Sequence, residues 1–79
     1  MAEYNGHKNW NHWNVSLWIN NDEGLYRMAC GLVRCYRKCG GRVKAAEAML
    51  ETLNDVGTTK TPDGAPYTVT SIRAAMRGM

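Results

Sequence analysis

Residues 13–26, WNVSLWINNDEGLY, contain the change of pattern that decides the fold. The first seven positions are mostly large and apolar, and an Asn-Asn-Asp-Glu-Gly run follows them directly. Asn and Asp side chains accept hydrogen bonds from the free N–H groups of a first helical turn, and acids there favour the positive end of the helix dipole. The stretch therefore predicts that one helix ends and a second begins, with Asn21 as the N-cap of the second.

The apolar pattern before Asn20 predicts a first helix that begins at Trp10, with Asn9 as its N-cap. Three apolar residues recur at the helical spacing i, i+3 and i+7: Trp10, Trp13 and Leu17. Three others fall outside this stripe: Val15, Trp18 and Ile19. Because the helix is apolar on nearly all sides, we expect it to be buried on more than one of them. We expect Trp13 and Leu17 in the core, and Trp10 or Trp18 partly exposed.

The second predicted helix, from about Asp22 to Cys39, has two distinct faces. Its apolar face carries Leu25, Met28, Ala29, Leu32, Val33, Cys35, Tyr36 and Cys39. Its opposite face carries Arg27, Arg34, Arg37 and Lys38. The Gly40-Gly41 pair follows basic residues, an order that is typical of a helix end.

The C-terminal half predicts two more helices separated by a loop. The third helix runs from about Arg42 to Asn54, with an apolar stripe of Val43, Ala46, Leu50 and Leu53. Residues 57–67 contain both prolines and a Pro62-Asp63-Gly64 turn. A short helix from about Thr70 to Arg77 has Ile72, Ala75 and Met76 as its inner face. We therefore predict an all-α fold, a small bundle of three main helices plus a short C-terminal helix, in one domain with a flexible lead-in at residues 1–9.

The bulk composition predicts a small soluble protein. Seventy-nine residues, 44% hydrophobic and 22% charged, suffice for one folded domain. The net charge of +3 and the pI of about 8.9 are mildly basic, below the range of dedicated nucleic-acid-binding domains. The sequence shows no secretory signal and no membrane-spanning run, and its three cysteines argue against a disulfide scaffold. We expect a cytoplasmic protein without membrane contact.

The sequence predicts neither an enzyme nor a cofactor or metal site. It contains no nucleophile elbow, phosphate-binding glycine loop or HExxH motif. The acids Asp22 and Glu23 are adjacent, and adjacent residues on a helix do not face each other. A zinc site from Cys35 and Cys39 with His7 and His12 is the metal alternative, but the spacing matches no zinc module and both cysteines lie on the predicted apolar face.

Two kinds of partner surface can be predicted. A chain this small cannot easily bury three tryptophans, and tryptophan is enriched in interface hot spots, so the predicted protein-binding residues are Trp10, Trp18 and Tyr26. Such a face also allows a homodimer. The alternative is nucleic-acid binding through the basic face of the second helix, by Arg27, Arg34, Arg37 and Lys38. Against it, the third helix would present Glu47 and Glu51 to phosphate.

The opening stretch resembles a family of short, uncharacterised proteins encoded mainly by bacteriophages and other mobile elements. The matching positions are Trp13, Asn14, Val15, Leu17, Trp18, Ile19, Asn21, Asp22, Glu23 and Tyr26. A second segment matches at Thr61, Pro62, Asp63, Gly64 and Tyr67, although tryptophan is frequent in the family where Tyr67 stands. The resemblance implies a small accessory protein in the cytoplasm of an infected bacterium. Because such proteins commonly bind host proteins, we expect a non-enzymatic protein that binds a host or phage protein.

Overall fold

The computed structural model describes residues 9–79, which form four helices. They are α1 (Trp10–Asn21), α2 (Glu23–Cys35), α3 (Gly41–Asp55) and α4 (Val69–Ala75). α1 and α3 each pack against both α2 and α4. Within residues 9–79 there is no strand, only an isolated antiparallel bridge between Lys60 and Pro66. The predicted all-α bundle with a short C-terminal helix is therefore confirmed. Apart from Asn9, the predicted lead-in lies outside the described residues.

A single residue, Asp22, separates α1 from α2. Its backbone N–H donates to the carbonyl of Trp18 at 2.9 Å and ends α1. Its carboxylate accepts from the N–H of Leu25 at 3.0 Å and caps α2. Because Asp22 has an extended backbone, with φ −91° and ψ 119°, the chain changes direction there without a linker.

The prediction of Asn21 as the N-cap of the second helix is wrong. Asn20 and Asn21 are the last two residues of α1, and their side-chain amides donate to the carbonyls of Ser16 and Leu17. Bonds of this kind, to the carbonyl four residues earlier, occur where a polar side chain lies within a helix and not at its N-cap. The cap therefore falls one residue later. At the other end of α1, Asn9 accepts from the N–H of His12 at 3.0 Å, as predicted for an N-cap.

α1 buries a different face from the predicted one. Val15 and Ile19 are fully buried in the common core, together with the polar Asn14. Leu17, predicted to be core, has 38% of its surface exposed, so this prediction is wrong; Trp13 is half-buried. Because both faces of the helix are apolar, packing against α2 and α4 selects the inner one. The β-branched pair at i and i+4 then forms the inner stripe.

α2 ends at Cys35, four residues before the predicted end. Residues 36–40 form a turn in which the N–H of Gly41 donates to the carbonyl of Tyr36 at 2.8 Å. Gly40 has a φ of +99°, which favours glycine, and a Cβ there would clash with the side chain of Lys44. Cys35 and Cys39 are exposed, so the prediction that they lie on a buried apolar face is also wrong.

α3 and α4 complete the core. The core-facing residues of α3 are Ala45, Ala46, Met49 and Leu53. Val43, predicted to lie on this stripe, is 41% exposed and Leu50 is half-buried. α4 begins at a capping box in which Thr68 and Ser71 exchange side-chain and backbone hydrogen bonds. Its predicted inner face is buried as expected: Ile72, Ala75 and Met76.

Candidate functional site

Four polar side chains hold the α3–α4 loop against α1. The buried amide of Asn14 donates from Nδ2 to Oδ2 of Asp63 at 2.9 Å and accepts at Oδ1 from the hydroxyl of Thr61 at 2.5 Å. Nε1 of Trp18 donates to the same Asp63 oxygen at 3.0 Å. Both ends of the buried amide therefore have partners, which removes most of the cost of burying it.

The loop itself is a tight turn around these contacts. The N–H groups of Thr61 and Gly64 donate to the carbonyls of Ala65 and Thr61, each at 2.8 Å. The N–H of Ala65 also donates to Oγ1 of Thr61 at 3.0 Å. The turn directs Asp63 toward α1 and so joins the two segments, 13–26 and 61–67, on which the family resemblance rests. The sequence reasoning missed this network, although a lone asparagine between apolar helix positions indicated a buried polar contact.

The two donors on α1 change the titration of Asp63. Hydrogen bonds from Asn14 and then from Trp18 lower the pKa of the Asp63 carboxyl below its ordinary value, while partial desolvation opposes them. Hydrogen bonds to a carboxylate favour its charged form. Ionised Asp63 is therefore part of what holds the loop in place.

A groove of about 460 Å³ lies beside this loop, where α1 ends and α2 begins. Its walls include the apolar side chains of Trp18, Leu25 and Tyr67, and Asp22 and Lys60 are also among its lining residues. Burial, followed by the charge of Asp22, raises the pKa of the Tyr67 phenol. Trp18, a predicted protein-binding residue, is thus a half-buried groove wall whose indole N–H is already bonded to the loop.

The outer face of α1 is apolar and accessible. Trp10 is 39% exposed and Leu17 38% exposed, and the half-buried Trp13 lies between them at helical spacing. We call these three residues the outer stripe. α1 contains no Asp, Glu, Lys or Arg, so its solvent-facing side consists of the outer stripe together with asparagine and serine side chains and the half-buried His12. A surface helix without charge is unusual, because surface helices normally present charged side chains to water.

The three predicted protein-binding residues do not form one patch. On an ideal helix, Trp10 and Trp18 point roughly 80° apart and lie about 12 Å apart along the axis. Tyr26 is 44% exposed in the first part of α2. A hydrogen bond with Cys30, and then the negative charge that Cys30 carries once it is deprotonated, raise the pKa of the Tyr26 phenol. Of the three, only Trp10 belongs to the outer stripe, and the sequence reasoning missed Leu17.

The four predicted nucleic-acid-binding residues are likewise divided. Arg27 pairs with Glu23 at 2.5 Å near the start of α2. Arg34 lies in the last turn of α2, whereas Arg37 and Lys38 lie in the turn that follows it. Because α2 ends at residue 35, these four residues are not a continuous stripe on one helix.

A cluster of basic residues from separate helices lies around a cavity between the ends of α1, α3 and α4. An open cavity of about 700 Å³ is lined by His12 from α1, Arg42 from α3, Arg73 from α4, and Arg77 just beyond α4. We call it the arginine cavity. The sequence reasoning missed it, although residues 66–79 carry Arg73 and Arg77 four positions apart without any acid. That charge pattern is the signal that could have revealed it.

Two further predictions concern metal and membrane. Within residues 9–79, no group of three or more His, Cys, Asp or Glu side chains could hold a metal ion. His7, part of the zinc alternative, lies outside the described residues. The four described helices are all too short or too polar to cross a bilayer.

The comparisons with known proteins identify a family without an assigned activity. The model of the family described as "Family of unknown function (DUF7249)" matches residues 1–79, so the chain belongs to that family. A search of curated proteins and of solved structures finds no match.

Proposed function

We propose that this member of the family is a non-enzymatic bacteriophage accessory protein that binds a host protein in the cytoplasm of an infected bacterium. The proposed origin and compartment rest on the resemblance of residues 13–26 and 61–67 to phage-encoded proteins. The proposed binding rests on a separate structural observation, the outer stripe of α1. That stripe provides exposed apolar area which the bundle itself does not bury.

The outer stripe supports docking of α1 into an apolar groove on the partner. Helices that bind in grooves present apolar anchors at i, i+3 or i+4, and i+7, which is the spacing of Trp10, Trp13 and Leu17. The centre of an interface is depleted in charge and enriched in aromatic residues, and α1 has both properties. The groove on the partner would therefore be apolar and wide enough for an indole.

The proposal of a non-enzymatic role is supported by what the adjacent acids do. The carboxylate of Asp22 caps α2 through the N–H of Leu25. Glu23 is engaged in an ion pair with Arg27 at i+4. Both acids therefore stabilise the start of a helix, where the dipole favours negative charge.

The experiment compares wild type with the double variant Trp10→Ala/Leu17→Ala. Tagged wild-type protein first captures the partner from host lysate, and the purified partner is then titrated by calorimetry. Truncating a hot-spot residue typically costs about 2 kcal/mol or more, so we expect the dissociation constant to rise at least about 30-fold. Circular dichroism checks that the double variant keeps its helices.

The matched control is Val56→Ala. Val56 is 70% exposed at the C-cap of α3, so this change removes exposed apolar surface away from α1. The control should bind the partner as tightly as wild type. Equal binding by wild type and the double variant would refute docking through α1. If the wild type dimerises in analytical ultracentrifugation and the double variant stays monomeric, the partner of the outer stripe is a second copy of this chain and not a host protein.

A second candidate function, nucleic-acid binding, is supported by the charge of residues 34–44. That segment holds Arg34, Arg37, Lys38, Arg42 and Lys44 and no acid. A gel shift with duplex and single-stranded DNA at about 50 mM salt tests it, because phosphate contacts are strongest at low salt. Absence of a shift would eliminate this candidate without affecting the first.

A further inference from the structure

The arginine cavity brings together positive charges from separate helices. Arg42 lies in the first turn of α3, whereas Arg73 and Arg77 lie at i and i+4 on α4 and the turn after it. All three line the same open cavity. Neither Asp nor Glu is among its lining residues, which also include His12 and Thr70.

No cavity residue forms an ion pair with an acidic side chain in the part of the chain that the structure describes. Within residues 9–79 the ion pairs are Arg27–Glu23 and Lys44–Glu47, and neither involves a cavity residue. Positive side chains that line the same cavity repel one another. A bound anion would relieve this repulsion.

Arg42 is held in place before any ligand arrives. Its Nε donates to the carbonyl of Met76 at 3.1 Å and its Nη2 to the main-chain oxygen of Met79 at 2.9 Å. A guanidinium has five N–H groups, so three remain to donate to a ligand. Because these contacts already restrict the side chain, binding a ligand costs less conformational entropy.

The size and lining of the cavity indicate the class of ligand. A volume of about 700 Å³ lies in the range of small-molecule sites, roughly 300 to 1,000 Å³. Arginine suits phosphate because its planar fork donates two parallel hydrogen bonds to phosphate oxygens. Val43 and Ala74 supply apolar lining against which an uncharged part of the ligand can pack.

We propose that the arginine cavity binds a phosphate-bearing ligand, with Arg42, Arg73 and Arg77 as the phosphate-binding residues. This site is separate from the outer stripe and does not depend on the protein-binding proposal. The three cationic groups favour a diphosphate over a monophosphate, because adjacent phosphates can engage more than one arginine. The same phosphate chemistry occurs in free nucleoside diphosphates and in the backbone of a single-stranded nucleic acid.

The test is a titration followed by the backbone amide signals of the protein in NMR. The probes are inorganic phosphate, pyrophosphate, ADP and a single-stranded oligodeoxynucleotide. Each is titrated in about 50 mM salt, where salt screens electrostatic contacts only weakly. We expect pyrophosphate or ADP to bind more tightly than inorganic phosphate. The largest signal changes should fall at residues 40–43 and 70–78, which border the cavity.

The variant is Arg77→Gln, and its matched control is Lys60→Gln. Both remove one positive charge, but only the first removes a cavity residue, and Lys60 belongs to none of the proposed binding surfaces. Charge-assisted hydrogen bonds are strong, so we expect the first variant to bind the tightest probe roughly tenfold or more weakly. The control should stay within about threefold of wild type, because it changes only long-range attraction.

Each outcome of this test has a definite meaning. Binding of ADP or pyrophosphate that is lost only in the cavity variant supports a small-molecule site. Binding of the oligonucleotide alone, lost only in the cavity variant, supports the same site with nucleic acid as the source of phosphate. Equal weakening by both variants, or no binding of any probe, overturns the proposal. Failure here leaves the outer-stripe experiment unaffected, because the two use different residues.

Discussion

The loop network, formed by Asn14, Trp18, Thr61 and Asp63, and the arginine cavity are both polar regions. They differ in whether their polar side chains have hydrogen-bond or ion-pair partners within the protein. In the loop network, Asp63 accepts from Asn14 and Trp18, and both ends of the Asn14 amide are bonded. In the cavity, Arg73 and Arg77 make no ion pair with any residue of 9–79. Satisfied polar groups hold a structure together, whereas unpaired like charges cost stability. The comparison indicates a structural role for the first region and a binding role for the second.

The largest expected effect comes from Asn14→Ala. This change removes a buried amide, leaves the hydroxyl of Thr61 without its acceptor and leaves the carboxylate of Asp63 with Trp18 as its remaining side-chain donor. Breaking a buried hydrogen-bond network should lower the free energy of unfolding by about 2–3 kcal/mol, measured by urea denaturation. The control is Asn11→Ala, at an exposed α1 position, for which we expect a change within about 0.5 kcal/mol. Similar losses in the two variants would show that the loop network contributes little.

The next largest effect is expected from Asp63→Asn, which should lower the free energy of unfolding by an amount that depends on pH. The folded-state pKa of Asp63 is lowered, so its ionised form stabilises the fold at pH values above the ordinary carboxyl pKa of about 4. That stabilisation is lost as the pH falls through the folded-state pKa, because both states then bind the proton. We expect the variant to be less stable than wild type at pH 7 and the difference to close under strongly acidic conditions.

The measurement for Asp63 is the urea midpoint as a function of pH. Asp55→Asn is the matched control, because it removes one negative charge at the end of α3 and leaves the loop contacts intact. A difference between Asp63→Asn and wild type that is constant across the acidic range would contradict the assigned role of the ionised carboxylate.

A smaller loss of stability is expected from Arg42→Gln, because Arg42 has both a structural role and a proposed binding role. Arg42 belongs to the cavity, but its guanidinium also donates to the main-chain oxygens of Met76 and Met79, which follow α4. Losing these bonds at a partly exposed site should cost about 1 kcal/mol, measured by thermal or urea unfolding. If this change costs nothing, the guanidinium is not held in place, and the argument for a prepared phosphate-binding residue is weakened.

The sequence was sufficient for features that depend on neighbouring residues. The N-cap at Asn9 and the inner face of α4, with Ile72 and Met76, follow from local chemistry and from helical periodicity. The inner face of α1 does not, because both of its faces are apolar. Asn14 meets Thr61 and Asp63, which lie 47 and 49 residues later, and no local pattern contains that information.

The candidate sites also divide into features that local sequence predicts and features that depend on tertiary contacts. The excess of tryptophan in a small chain predicted that Trp10 or Trp18 would be partly exposed, and Trp10 is the more exposed of the two. The predicted basic residues do not all lie on one helix, because α2 ends at Cys35 and Arg37 and Lys38 lie in the turn that follows it. Arg73 joins Arg42 only through the packing of α4 on α3, which is a tertiary contact. The local signal for the cavity is the absence of acids from residues 66–79, which contain Arg73 and Arg77.

The smallest expected effect on stability, and the one that separates the two regions most clearly, comes from Arg73→Gln/Arg77→Gln. Without ligand, removing repulsion between two exposed arginines should leave the free energy of unfolding unchanged or raise it slightly, by no more than the roughly 0.2–0.5 kcal/mol of a like-charge pair on an exposed helix surface. The gain should shrink in high salt, because screening already weakens the repulsion in wild type. Urea denaturation at low and high salt measures it. A loss of stability comparable with that of Asn14→Ala would mean that these arginines support the fold, and the contrast between the two regions would fail.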